Sequence, residues 1–220
     1  MLFDFGGTLD APGRPWKDRI FRLYREEGVD VHPERFDPIF YRVDDGMVGT
    51  IPGTLPFADT VRHLVAGVSA GLAIDSAGLP ERLACRFVDD ATATLHAHTP
   101  LLARLAERYR LGIVSNFYGN LATVCDETGI GPFFSVVVDS ACVGSMKPDP
   151  RIFRHALEAL GVEPPDATFV GDSLSRDMAG ALAVAMPHIW LMGETVSPSR
   201  PCCPHDPVIR SLEELQGLLL

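Results

Sequence analysis

The feature that most constrains this chain is the rhythm of its second half. From Pro100 onward, short apolar runs alternate with amphipathic segments of about ten residues. "RLGIVSN", "FFSVVVDS", "ATFVGDS" and "HIWLMG" are too short for helices and rich in Val, Ile and Phe, so they read as strands. "LLARLAERY", "LATVCDETGI", "DPRIFRHALEALG", "SRDMAGALAVA" and "IRSLEELQGLL" read as helices, with Gly129 and Gly161 closing two of them. Apolar strands separated by helices of that length form a parallel sheet covered on both faces.

One strand stands apart from this rhythm. Residues 2–5 of "MLFDFGGTLDAPG" form an apolar run cut short by a Gly pair. Between it and the alternating half, Pro15–His98 carries helical patterning and little strand signal. In "WKDRIFRLYREEG", Trp16, Ile20, Leu23 and Tyr24 share one face, and Gly28 ends the segment. "RFDPIFYRVDDGMVG", "FADTVRHLVAGV" and "LPERLACRFVDDATATLHAH" also read as helical. The expected class is therefore α/β, with a helical block interrupting the parallel-sheet core after its first strand.

Charge narrows the partners. Nineteen Lys and Arg against 29 Asp and Glu give a formal net charge of −10. A field of that sign repels nucleic acid and anionic membranes, so neither is an expected partner. No apolar run approaches the roughly 20 residues of a membrane helix. No signal-peptide pattern is visible at the N-terminus. Five cysteines at uneven spacing suggest no disulfide framework and fit a reducing, cytoplasmic compartment. "PCCPH" near the C-terminus makes a poor tetrahedral metal site.

In an open parallel sheet, ligands bind beyond the carboxyl ends of the strands. After the first strand come Asp4, Gly6, Gly7 and Thr8, and after the second come Ser115 and Asn116. "GSMKPDP", with Lys147, follows the third; Asp172 and, a turn later, Asp177 follow the fourth. Carboxylates, an ammonium and hydroxyls on one edge suit a phosphoryl group held with a divalent cation. Each residue also has a plainer local reading. Asp4 before a glycine suits a turn, Lys147 in "KPDP" a surface turn, and Ser115 with Asn116 another turn. Asp172 suits a helix N-cap, and Asp177 is favoured by a helix dipole alone.

Taken together, "FDFGGTL", "GIVSN", "KPDPRIFRHALEALG" and "VGDSLSRD", in this order and at strand ends, resemble the four motifs of the haloacid dehalogenase-like superfamily. The resemblance implies a Rossmann-like core of residues 1–14 and 99–220 with a helical cap at 15–98. It implies Asp4 as a nucleophile that forms an aspartyl-phosphate, with Ser115 and Lys147 completing the catalytic set. Gly7, Thr8 and Asn116 would bind the phosphoryl group. Mg²⁺ would be held by Asp4, the Gly6 carbonyl, Asp172 and Asp177, Asp177 being either a ligand or an orienting group.

The sequence departs from the motif at Gly6. Members of the superfamily carry a second Asp there, whose carboxyl protonates the leaving group and later activates water. Gly6 keeps the carbonyl and lacks the acid. The leading expectation is a Mg²⁺-dependent phosphatase acting on a small phosphorylated metabolite, slowed by about 10²–10⁴ or restricted to good leaving groups. On this reading Gly6→Asp raises alkyl-phosphate turnover by about tenfold or more. The alternatives are a catalytically impaired phosphate-ligand binder and a metal-independent dehalogenase, with Arg35 or Arg42 as the cap arginine. Carbon–phosphorus hydrolysis would need Lys17, the cap's lysine. Asp10 is a conceivable substitute acid. Arg14, Arg19, Arg22 and Arg25 read as a solvated face, and the seven histidines as structural or exposed.

Overall fold

The computed structural model of the chain describes residues 1–193 and 206–220. Its centre is a parallel sheet of six strands: β1 (Leu2–Phe3), β2 (Gly112–Ser115), β3 (Val136–Asp139), β4 (Phe169–Gly171), β5 (His188–Leu191) and β6 (Val208–Ile209). The order is β3-β2-β1-β4-β5-β6, so β1 lies inside the sheet with β2 and β4 beside it. The chain builds outward from β1 in both directions. This is the topology in which a crevice opens at the strands' carboxyl ends.

Side chains alternate across each strand and give the sheet two apolar faces. Leu2, Val114, Val138 and Phe169 face one layer, where α7 (Pro150–Leu160) and α8 (Ala179–Ala183) contribute Ile152, Phe153, Leu157 and Ala181. Phe3, Ile113, Val170 and Ile189 face the other, packed with Leu121 and Val124 of α5 (Leu121–Glu127) and with Leu102 and Leu105. Gly161, at φ 61°, closes α7 in the left-handed conformation that glycine adopts without strain. Two short helices, α6 (Ser140–Val143) and α9 (Leu215–Leu219), complete the core.

The helical block contains α1 (Trp16–Glu26), α2 (Pro33–Met47), α3 (Phe57–Gly71) and α4 (Leu79–Ala106). Its patterning follows the sequence. Ile20, Leu23 and Tyr24 of α1 are buried, and Gly28 stands at φ 81° just past its end. The structure differs at Pro100. A new helix is expected after it, yet α4 runs unbroken for 28 residues through Pro100 into the core. A proline inside a helix costs about 3 kcal/mol. Burying Leu101, Leu102 and Leu105 just beyond it returns about 1.5–3 kcal/mol each, enough to keep the helix whole. The expected boundary between residues 98 and 99 therefore falls within a helix. No helix among the described residues is long and apolar enough to cross a membrane.

Candidate active site

Asp4 directly follows β1 in an extended conformation, φ −73° and ψ 158°. The chain then turns tightly through Phe5–Leu9. Gly7 takes φ 92°, and a Cβ there would lie 2.6 Å from Asp172 Oδ2, so only glycine fits. The Gly7 N–H donates to Asp10 Oδ1 at 2.7 Å, which pins the turn.

Ser115, the last residue of β2, donates its hydroxyl to Asp4 Oδ1 at 2.8 Å. Lys147 Nζ lies 2.6 Å from the same oxygen and 2.7 Å from Asp177 Oδ1. Asp4 Oδ2 takes no hydrogen bond among the described residues, and Asp4 lines the cleft described below. Burial alone would pull the Lys147 ammonium down, but Asp177 and Asp4 outweigh it and hold the group above its ordinary pKa. Asn116 fixes this lysine from behind: its Oδ1 accepts from Lys147 N at 2.7 Å, and its Nδ2 donates to Lys147 O at 3.1 Å. The Asn116 amide is thus engaged in positioning Lys147.

Asp172 follows β4, and Trp190 donates its indole N–H to the Asp172 carbonyl at 2.9 Å. Thr8 Oγ1 approaches Asp172 Oδ1 at 3.4 Å. Burial, then repulsion from Asp177 and Asp4, lifts the Asp172 carboxyl well above the usual carboxylate range. Asp177 is fully buried; its Oδ1 pairs with Lys147 at 2.7 Å, and its Oδ2 accepts from Ser173 N at 2.9 Å. One oxygen from each of Asp4, Asp172 and Asp177 lies within 4.8 Å of the others. Three carboxylates here meet Lys147 and, through a longer-range attraction, Arg176. A divalent cation would offset the mutual repulsion that adds to burial in raising Asp172, and three carboxylates are oxygen donors of the kind a hard metal ion takes.

The sequence thus brings Asp4, Ser115, Lys147, Asp172 and Asp177 to one point, with Gly7 and Thr8 against Asp172. Above them opens a cleft between the helical block and the core. Its floor holds Asp4, Gly6, Ser115 and Lys147. Its walls come from the helical block (Trp16, Lys17, Phe40, Tyr41, Asp44) and from Phe117, Tyr118 and Arg176 of the core. Motif reading misses these wall residues, since nothing local in "RVDDGM" marks Asp44 as facing a cleft.

Gly6 has a specific neighbour. A Cβ at this position would lie 3.1 Å from Trp16 Nε1 and 3.3 Å from Trp16 Cδ1. The indole thus crowds the place where the motif carries its second carboxylate. Trp16 also donates to Asp10 Oδ2 at 2.7 Å, and Arg19 donates to that oxygen at 2.6 Å. With Gly7 N, these three donors engage both Asp10 oxygens, and the residue is fully buried. Asp10 is therefore a structural bolt between the turn and α1, unavailable as a substitute acid. Arg19 corrects another expectation. It is only 4% exposed, bridges Asp10 and Asp90, and lies 4.0 Å over the Phe87 ring. Arg22 and Arg25 are exposed as expected.

Arg35 donates to the Leu72 carbonyl at 2.7 Å, and neither it nor Arg42 lines the cleft. Lys17 does line it, paired with Asp18 and Asp37 at 3.0 and 3.1 Å. Burial would lower Lys17, but these carboxylates raise it, which opposes the neutral amine that Schiff-base chemistry requires. No described histidine lines the cleft. "PCCPH" lies outside the described residues.

A family model for haloacid dehalogenase-like hydrolases matches residues 1–184. The chain belongs to the haloacid dehalogenase-like hydrolases. Among curated relatives, glyceraldehyde 3-phosphate phosphatase of Pyrococcus abyssi is 39% identical over 94 residues, which are 41% of this chain and 39% of that protein. The chain spans less than half the length of the curated relatives first matched. The crystal structure of a phosphatase from Thermococcus onnurineus aligns over 99% of this chain and 96% of its own, with TM-score 0.59 and 25% identity. A solved dehalogenase with an intermediate complex aligns over 99% of this chain and 95% of its own, with TM-score 0.69 and 20% identity; at that identity it speaks for the fold alone.

Proposed function

We propose that this hydrolase is a Mg²⁺-dependent phosphatase of a small phosphorylated metabolite, acting through an aspartyl-phosphate on Asp4. The observation that carries the reading is the state of the Asp4 carboxylate. One oxygen is held by Ser115 and Lys147, and the other takes no hydrogen bond among the described residues. Such a carboxylate oxygen can attack phosphorus, while Lys147 and the Ser115 hydroxyl offset charge on the phosphoryl oxygens. Asp177 and Asn116 hold the lysine in place for that role. Asp4, the Gly6 carbonyl and Asp172 would hold Mg²⁺, with Asp177 orienting the set; the ion would supply Lewis-acid stabilisation of the phosphoryl charge.

Similarity to proteins named as phosphatases supports this reading over the binder. The placement of Arg35 and Arg42 away from the cleft weighs against the dehalogenase, as does a cluster of three carboxylates that halide displacement does not need. The deciding assay is phosphate release from alkyl, aryl and acyl phosphates with and without Mg²⁺. We expect metal-dependent release that Asp4→Asn abolishes. Metal-independent halide release from haloacids, or phosphate binding without turnover, refutes it.

A further inference from the structure

The phosphatase reading leaves the leaving group without a proton donor at position 6. The cleft contains another. Of the groups lining it, Lys147 is held charged by Asp4 and Asp177, and Lys17 by Asp18 and Asp37. Arg176 is permanently a cation. Tyr118 is buried, and its hydroxyl donates to Asp44 Oδ1 at 2.5 Å. Apart from Asp4, the one carboxyl in the lining is Asp44 on α2. Its Oδ2 takes no hydrogen bond among the described residues.

We infer that Asp44 of the helical block, oriented by the Tyr118 hydroxyl, is the general acid and base that Gly6 lacks. The inference rests on the phosphatase reading of the same cleft. Tyr118 lies three residues beyond Ser115, so its hydrogen bond ties a carboxyl on α2 to the loop that directly follows the Ser115 hydroxyl. Because Tyr118 occupies Oδ1 as a donor, the proton of a neutral Asp44 resides on Oδ2. The charge environment favours that form. Burial raises the Asp44 carboxyl above its ordinary pKa; the Tyr118 hydrogen bond opposes this, Asp45 on the same helix adds to it, and Arg176 from the core opposes it. Tyr41 on α2 and Lys17 on α1 are the other titratable groups in that wall. A carboxyl held upward in this way keeps its proton to higher pH than a free aspartic acid, the direction a general acid requires.

The step balances as follows. Asp4 Oδ2 forms a bond to phosphorus as the bond to the leaving oxygen breaks and that oxygen keeps the electron pair. The Asp44 Oδ2 proton passes to it, the alcohol departs, and Asp44 remains as carboxylate. A water then attacks phosphorus and gives a proton to Asp44. The bond between phosphorus and Asp4 breaks, its electron pair returns to the Asp4 carboxylate, and inorganic phosphate leaves.

The test compares wild type, Asp44→Asn and Tyr118→Phe on an alkyl phosphate and on p-nitrophenyl phosphate, across pH with Mg²⁺ present. A protonated leaving group matters for the first ester and hardly for the second. We expect Asp44→Asn to lower alkyl-phosphate kcat/KM by about 10²–10³ and p-nitrophenyl-phosphate kcat/KM by less than about threefold, with the basic limb of the alkyl profile abolished. Tyr118→Phe, which keeps the ring but frees Oδ1, should displace that limb and selectively slow the alkyl ester. Equal losses on both esters, or an unchanged pH profile in Asp44→Asn, overturn the assignment and leave the phosphatase reading intact. A wild type inactive on both esters overturns that reading and this one together.

Discussion

Restoring the motif's second carboxylate by Gly6→Asp gives a result that motif reading alone does not predict. The backbone tolerates a side chain, since Gly6 lies at φ −75° and ψ 113°. The obstacle is Trp16, 3.1 Å from where the new Cβ would stand. That ring is wedged against Phe87 at 4.9 Å and Phe117 at 5.6 Å, and its N–H is held by Asp10. Inserting side-chain atoms into such packing costs about 1–3 kcal/mol. At about 2 kcal/mol, the loss is roughly 4–8 °C in Tm for a chain of this length. We therefore expect Gly6→Asp alone to lose stability and gain less than about tenfold in alkyl-phosphate turnover. In Gly6→Asp/Trp16→Leu, the smaller side chain makes room, while Asp10 keeps Gly7 N and Arg19. A cycle of thermal melts and alkyl-phosphate kinetics on the two single variants and the double variant should show coupling of about 1 kcal/mol or more. Additive effects, or a Gly6→Asp protein as stable as wild type, would refute the claim that glycine and indole are matched.

Four further outcomes follow from the same contacts. Asp10→Ala leaves Arg19 buried with only the exposed Asp90 as carboxylate partner, and should lower unfolding stability by about 3–5 kcal/mol in denaturant titrations. Gly171→Ala places a Cβ 2.5 Å from Asp177 Oδ2, and should lower kcat more than KM by disturbing the grip on Lys147. Asp44 is raised by burial, so its native state binds the proton more tightly than the unfolded chain; its contribution to stability is lost as pH rises through the folded pKa. The Tm of Asp44→Asn should therefore gain on wild type as pH rises from about 4, the ordinary Asp value, and a constant difference would contradict this. Finally, Mg²⁺ added after chelation should raise Tm in wild type, and much less in Asp172→Asn.

Much of this was legible in the sequence because it is local. Strand runs such as "GIVS" and "VVVD" carry their own burial signal, and the residues at their ends are placed by topology once the sheet is parallel. That is why Asp4, Ser115, Lys147 and Asp172 converge as motif order implies. The two-residue β6 is too short to carry any period, and α6 depends on a cap by Asp139. Pro100 reads as a break because the local rule is strong, whereas the burial that overrides it is tertiary. The walls of the cleft were not legible for the same reason. Trp16 looks like an ordinary core residue of α1, Arg19 like a surface charge and Asp44 like a polar position on α2. Their roles arise only when the helical block is laid over Gly6 and Tyr118.

The central claim is that Asp4 attacks phosphorus, and a single turnover in heavy-oxygen water tests it most directly. With enzyme in excess over a phosphate ester, mass spectrometry should detect a phosphoryl group on the Asp4 peptide after a rapid quench. Later, the heavy oxygen should appear in inorganic phosphate and not in Asp4. Heavy oxygen in the Asp4 carboxylate would mean that water attacks an ester carbonyl, as displacement at carbon requires. That result, or turnover with no phosphoryl group ever found on Asp4, would contradict the account.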